Sequence, residues 1–146
     1  MSTVSKYLTY LGTIPFIGIS YLLTSKTGDH KIELFSFDFE TIISIYTIAI
    51  VSFIAGSHWG YKSNSTSSIM IPLSSNLIVL AVWISYLFLF FELFLYVSST
   101  LLVLLLVVDK LMFEASVINK NYLKHRVIAT SIVLLSFGWI LNFKQF

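Results

Sequence analysis

The chain has 146 residues, of which 57% are hydrophobic and only 11% charged, and its mean hydropathy is +0.89. A soluble domain carries roughly a quarter charged residues to wet its surface, so this composition excludes an ordinary water-soluble globule. The net charge of +2 comes without a long basic run, and there is no cysteine; a nucleic-acid footprint, disulfides, thiolate metal sites and Cys nucleophiles are excluded with them.

The expected fold class is all-α: one transmembrane domain, 1–146, built as a polytopic helical bundle. A hydrocarbon core of about 30 Å needs about 20 apolar residues. The first predicted span is 7–24, bounded by Lys6 and Lys26. With six residues before it and no small-residue cleavage site after it, it does not read as a cleavable leader. Pro15 lies in its middle, where the missing N–H and the ring crowding the carbonyl of Leu11 predict a kink. Gly12 and Gly18 flank the bend and leave room for close packing.

A polar loop with Lys26, Asp29, His30, Lys31 and Glu33 leads to the second predicted span, 38–61. Asp38 suits its N-cap, and Glu40 suits the positive end of the helix dipole. Ser52, Gly56 and Gly60 recur every four residues, a smooth stripe expected to bring another helix close. His58 points away from that stripe. Histidine as a residue type suits proton handling or metal ligation, whereas the place of His58 beside Trp59 and Tyr61 suits a plain interfacial hydrogen bond.

After the tract Ser63-Asn64-Ser65-Thr66-Ser67-Ser68, residues 69–108 carry a single charge, Glu92. One helix of that length would reach about 60 Å, twice the hydrocarbon thickness. Two spans, 69–88 and 93–112, joined by a turn between Phe88 and Glu92, fit better, because the carboxylate belongs at an interface. The last span is 127–143. The sequon Asn64-Ser65-Thr66 would face inward and reads as chance.

Five spans put the termini on opposite sides. Lys6, Lys62, Lys110, Lys120, Lys124 and Arg126 then share one side, and Lys26, Lys31 and Lys144 the other. The positive-inside rule places the N-terminus in the cytoplasm. A candidate polar cluster collects at that inner end: Asp109 closing the fourth span, Tyr122, His125 and Arg126 opening the fifth, and His58. Asp109 and Arg126 are expected to pair across the helix ends. The structural reading of this cluster is a clamp; the functional one is an inward-facing polar pocket. His58 and His125 are the one same-side histidine pair, too little to call for a metal or another cofactor, and none is expected.

No phosphate loop, zinc helix or nucleophile elbow occurs, so no catalytic residue is named and an enzyme is not expected. No internal repeat is visible either, which weakens the duplicated transporter architectures.

Two stretches resemble a known family. Leu11-Gly12-Thr13-Ile14-Pro15-Phe16, and Tyr46 followed by Ser52-Phe53, Gly56 and His58-Trp59-Gly60, are similar to signatures of a family of small membrane proteins of unknown function. That family includes bacterial inner-membrane proteins and the mitochondrial transmembrane protein 69. Pro72, Trp83, Asp109 and the Tyr122 to Arg126 spacing fit the same pattern, with Ser74-Ser75-Asn76 a looser match. The resemblance implies a bundle of about five spans in an energy-transducing membrane and carries over no activity. The short N-terminus lacks an Arg-rich presequence, so a bacterial inner membrane is the expected location. The expected role is a non-enzymatic accessory or assembly partner of a membrane complex, bound to lipid and to a membrane protein or a second copy. A small proton, ion or solute transporter is the alternative. A haem protein using His58 and His125 is the weaker one.

Overall fold

A computed structural model describes residues 7, 9–25, 38–60 and 67–143. The predicted loops around Lys31 and Asn64, and the terminal lysines Lys6 and Lys144, lie outside these. The described chain forms five helices: α1 (Ile14–Thr24), α2 (Phe39–Ser57), α3 (Ser67–Phe88), α4 (Phe91–Glu114) and α5 (Lys120–Phe143). The fold is all-α. Among the described residues four stretches are long and apolar enough to cross a membrane: Phe39–Ser57, Met70–Phe88, Phe91–Glu114 and Lys120–Phe143. The shorter apolar helix Thr9–Thr24 would reach only about 24 Å at 1.5 Å per residue.

That first helix corrects the expectation for Pro15. The chain turns at Gly12 and Thr13, where the Thr13 N–H donates to the Tyr10 carbonyl at 2.9 Å. Pro15 then lies in the first turn of α1, where a missing N–H breaks no bond. The bend thus sits just before the proline instead of in mid-helix. From α2, the Tyr46 hydroxyl donates to the Gly12 carbonyl at 3.0 Å, so the interrupted backbone finds a polar partner inside the bundle.

The helix ends follow local chemistry. Asp38 caps α2, its carboxylate accepting the Thr41 N–H at 2.8 Å. A 3-10 turn, His58–Gly60, closes the same helix. Between α3 and α4 only Leu89 and Phe90 intervene, within the predicted turn, and Glu92 falls in the first turn of α4. The α4 to α5 connection is a Schellman motif. Ser116 adopts a left-handed φ of 58°, its N–H donates to the Phe113 carbonyl, and the Val117 N–H donates to Met112, both at 2.9 Å. Helix α5 starts at Lys120, seven residues before the predicted 127. Polarity ends an apolar window, but Lys120 to Arg126 keep the helical backbone bonds going.

Each helix packs on its neighbours in sequence, α1 also packs on α5, and α2 meets α4 through the centre. Tyr10 of the turn before α1 bonds His125 near the start of α5, and Thr24 at the end of α1 bonds Trp139 near the end of α5. The first and last helices therefore run parallel, and the helices between them alternate. On α4 the buried face is Phe94, Leu95, Ser98, Leu101, Leu102, Leu105, Val108, Asp109 and Met112, spaced by threes and fours as one helical face requires. Hydroxyls within the helices mostly turn back on their own backbone, as Ser20 does to Phe16, Thr47 to Ile43 and Ser99 to Leu95, leaving few polar groups to act on anything else.

Candidate functional site

The strongest polar assembly lies at the end of the bundle where α2 finishes. His58 caps α2 and is 1% exposed; Ser75 and Asp109 are fully buried, and Arg126 is 8% exposed. His58 Nδ1 lies 2.5 Å from the Ser75 hydroxyl, and His58 Nε2 lies 3.0 Å from Asp109 Oδ1. Arg126 Nε donates to Asp109 Oδ2 at 3.0 Å. Asp109 thus divides its two oxygens between a histidine and a guanidinium. The network ties α2, α3, α4 and α5 together.

Helical spacing puts these groups at one depth. Asp109 lies five residues before the end of α4 and Arg126 six after the start of α5, so each is about 8–9 Å inside its helix end at 1.5 Å per residue. A second apolar cluster, Val108, Met112 and Ile118 with Val117, Tyr122 and Leu123 packed on it, occupies the same end of α4 and the connection to α5. Toward the other end come Val51, Ile54, Leu101, Leu102, Leu105 and Val133, all buried in the main core. Among the described residues the polar groups thus sit between two apolar clusters.

The Ser75 hydroxyl also lies 2.9 Å from the Ile71 carbonyl. With one proton and two neighbours, it supports both charge states of His58. A neutral imidazole takes the Ser75 proton at Nδ1 and donates Nε2–H to Asp109. An imidazolium donates from both nitrogens while Ser75 turns its proton to Ile71. Either arrangement leaves these atoms bonded, as burial demands. With neutral His58 the Asp109 and Arg126 charges cancel.

The structure therefore brings three of the five sequence-named cluster residues together, His58, Asp109 and Arg126. His125 turns to α1, its Nδ1 2.6 Å from the Tyr10 hydroxyl with the two rings edge to face. Tyr122 packs on the Val108, Met112 and Ile118 cluster. The small-residue stripe needs correction. Ser52 is half-buried, Gly56 is exposed, and a Cβ on Gly56 would meet nothing within 4 Å, so no helix among the described residues approaches Gly56. The buried face of α2 is instead Ile43, Ser44, Thr47, Val51, Ile54 and Ala55, because larger side chains bury more surface than glycine. The surroundings of Gly60 lie outside the described residues.

Ser75 and Tyr10 were not singled out from the sequence as site residues. The signal for Ser75 was faint: a polar run, Ser74-Ser75-Asn76, inside an apolar span. A buried histidine needs partners for both ring nitrogens, and that need points to such a run only once the helices are placed. Among the described residues no group of three or more His, Asp or Glu could hold a metal ion. Two buried polar side-chain atoms among the described residues lack a partner, Ser98 Oγ and Arg126 Nη2.

Fold and site together define a multi-pass α-helical membrane protein whose helices are clasped by a buried ionic network. The chain belongs to the family described as protein of unknown function (DUF3429), whose model matches residues 1–142. Neither the curated proteins nor the solved structures contain a match to it.

Proposed function

We propose that this protein is a non-enzymatic accessory or assembly partner of a larger complex in the bacterial inner membrane. The observation that carries this reading is the closure of the polar network. His58, Ser75, Asp109 and the Arg126 Nε hold four helices together, and the described outer surface presents large apolar side chains such as Phe53, Leu77, Trp83 and Leu135 to other molecules. In this reading the chain crosses the bilayer five times with its N-terminus in the cytoplasm, and the clasp lies in the inner half of the membrane. The lysine and arginine distribution supports that orientation. The His58-Trp59-Gly60 motif and the opening Leu11-Gly12 with Pro15-Phe16 support kinship with the mitochondrial transmembrane protein 69.

The test is gentle detergent extraction of the tagged protein after crosslinking in its own membranes. A membrane complex recovered in fixed proportion to the chain supports the role; a chain that comes out alone under every mild condition refutes it.

A second reading, a small proton, ion or solute transporter, has one observation in its favour, the unpartnered Nη2 of Arg126. Proteoliposomes separate the two: flux that falls when His58 is replaced by Ala supports transport, and flux equal to that of empty vesicles removes it. Haem ligation fits less well, since both ring nitrogens of His58 are already engaged and His125 is bonded to Tyr10. An absorption spectrum without a Soret band disposes of it.

A further inference from the structure

Among the described residues helix α3 packs chiefly on α4 and on α2 with its closing 3-10 turn, and of the four long apolar helices it has the smallest share of its apolar stretch buried, 22% against 33–39% for the others. Its inner face is Ser75, Ile78, Val82 and Ser85. On the outer face Leu73, Asn76, Leu80, Trp83 and Leu87 are all exposed. Their spacing is three, four, three, four, the seam of a two-helix coil.

One member of that seam does not belong against lipid. Asn76 lies six residues inside Met70, the start of the apolar stretch, which is about 9 Å at 1.5 Å per residue. Other polar side chains on outward faces return to their own backbone: Thr100 donates to the Tyr96 carbonyl, and Asn142 to Gly138. Of the preceding serines, Ser74 donates to the Ile71 carbonyl, and Ser75 is engaged with Ile71 and His58. Asn76 makes no hydrogen bond within the described chain. A carboxamide has two donors and an acceptor, and hydrocarbon satisfies none of them.

We propose that the outer face of α3 is a self-association surface, on which two copies of this chain pair with Asn76 hydrogen-bonded to the partner's Asn76. The carboxamide carries both donor and acceptor, so it is its own complement across a two-fold axis. Copies inserted in the same direction can be related only by an axis along the membrane normal. That axis makes the two α3 helices parallel and sets the two Asn76 side chains at equal depth. The leucines of the seam do not drive the pairing, since lipid tails are as apolar as leucine. They supply the packing surface, and Asn76 supplies both the drive and the register, as a single polar seam residue does in coiled coils. The inference needs α3 in the bilayer but not the accessory role, and its test reads a different quantity.

The chain lacks cysteine, so one introduced thiol reports contact directly. With Leu80→Cys, mild oxidation of native membranes should give a disulfide-linked species of twice the 16.6 kDa chain. Leu135→Cys, on an exposed position of α5, should remain monomeric. Resonance energy transfer between labelled copies in bicelles then measures the pairing itself. Asn76→Leu should weaken it about three- to thirty-fold, the range of interhelical hydrogen bonds in membranes, while Asn76→Gln, which keeps donors and acceptor, should largely retain it. Both substitutions face outward, and unchanged helical content shows that the bundle is intact. Equal crosslinking at Leu80→Cys and Leu135→Cys overturns the proposal, as does an Asn76→Leu protein that pairs as tightly as the parent. Capture of a different polypeptide by the Leu80→Cys thiol overturns it as well.

Discussion

Replacing Asp109 with Asn keeps the side-chain shape and removes its charge. In the parent protein the carboxylate is fully buried, with Arg126 Nε on one oxygen and His58 Nε2 near the other, each at 3.0 Å. In the variant the new amide group sets a donor against one of those N–H groups, and the Arg126 guanidinium keeps its charge without a counter-ion. Breaking a buried pair in this way costs about 3–5 kcal/mol. Removing both charges tells the pair apart from its burial. Asp109→Leu combined with Arg126→Met leaves no orphan charge, and buried ion pairs replaced by apolar residues of similar size are often neutral. What remains is the lost acceptor of His58, about 1–3 kcal/mol. The double variant should therefore be more stable than Asp109→Asn. Unfolding by graded sodium dodecyl sulfate in mixed micelles, followed by circular dichroism, measures both. An Asp109→Asn protein within about 1 kcal/mol of the parent, below the range for a broken buried pair, would refute the clasp. So would a double variant weaker than the single one.

Ser116 holds a left-handed φ where glycine is the usual residue, so Ser116→Gly should stabilise the α4 to α5 connection by about 1 kcal/mol in the same unfolding assay. Ser116→Val should destabilise it, because a β-branched side chain fits that conformation worst. Tyr46→Phe removes the hydroxyl that bonds the Gly12 carbonyl and should lower stability by about 0.5–1.5 kcal/mol; no loss would mean that the turn before α1 needs no support from α2. For sidedness, Asn64→Cys and Lys31→Cys can be labelled in intact cells with a membrane-impermeant maleimide. The proposed orientation exposes Lys31→Cys and protects Asn64→Cys, and the reverse pattern inverts the topology.

Much of the helix arrangement was legible because hydrocarbon leaves the backbone few options. A polar group there must bond within the chain, so the length of each apolar run sets the length of each helix. That reasoning located the α3 to α4 turn near Glu92, despite the absence of glycine or proline, and it identified Asp38 as a cap. It failed where polarity and helix formation part company: Lys120 to Arg126 are polar and helical, so α5 begins earlier than its apolar stretch. At Pro15 it foresaw a bend but not its exact place, the break at Gly12 and Thr13 just before the proline.

The cluster shows a similar division. Asp109, Arg126 and His58 could be named in advance, because each is costly at membrane depth and all three fall at one end of their helices. Their partners could not. Ser75 rather than His125 completes the network, and His125 goes to Tyr10, because adjacent residues on a helix point about 100° apart and neighbouring helices decide which direction is inward. The stripe of Ser52, Gly56 and Gly60 was likewise a true period on an unknown face. Hydrophobic composition and charge placement, being sums along the chain, were determined by the sequence alone. Which faces are buried, and which polar atoms meet, depended on the rotation of five helices against one another, and only the tertiary structure decided that.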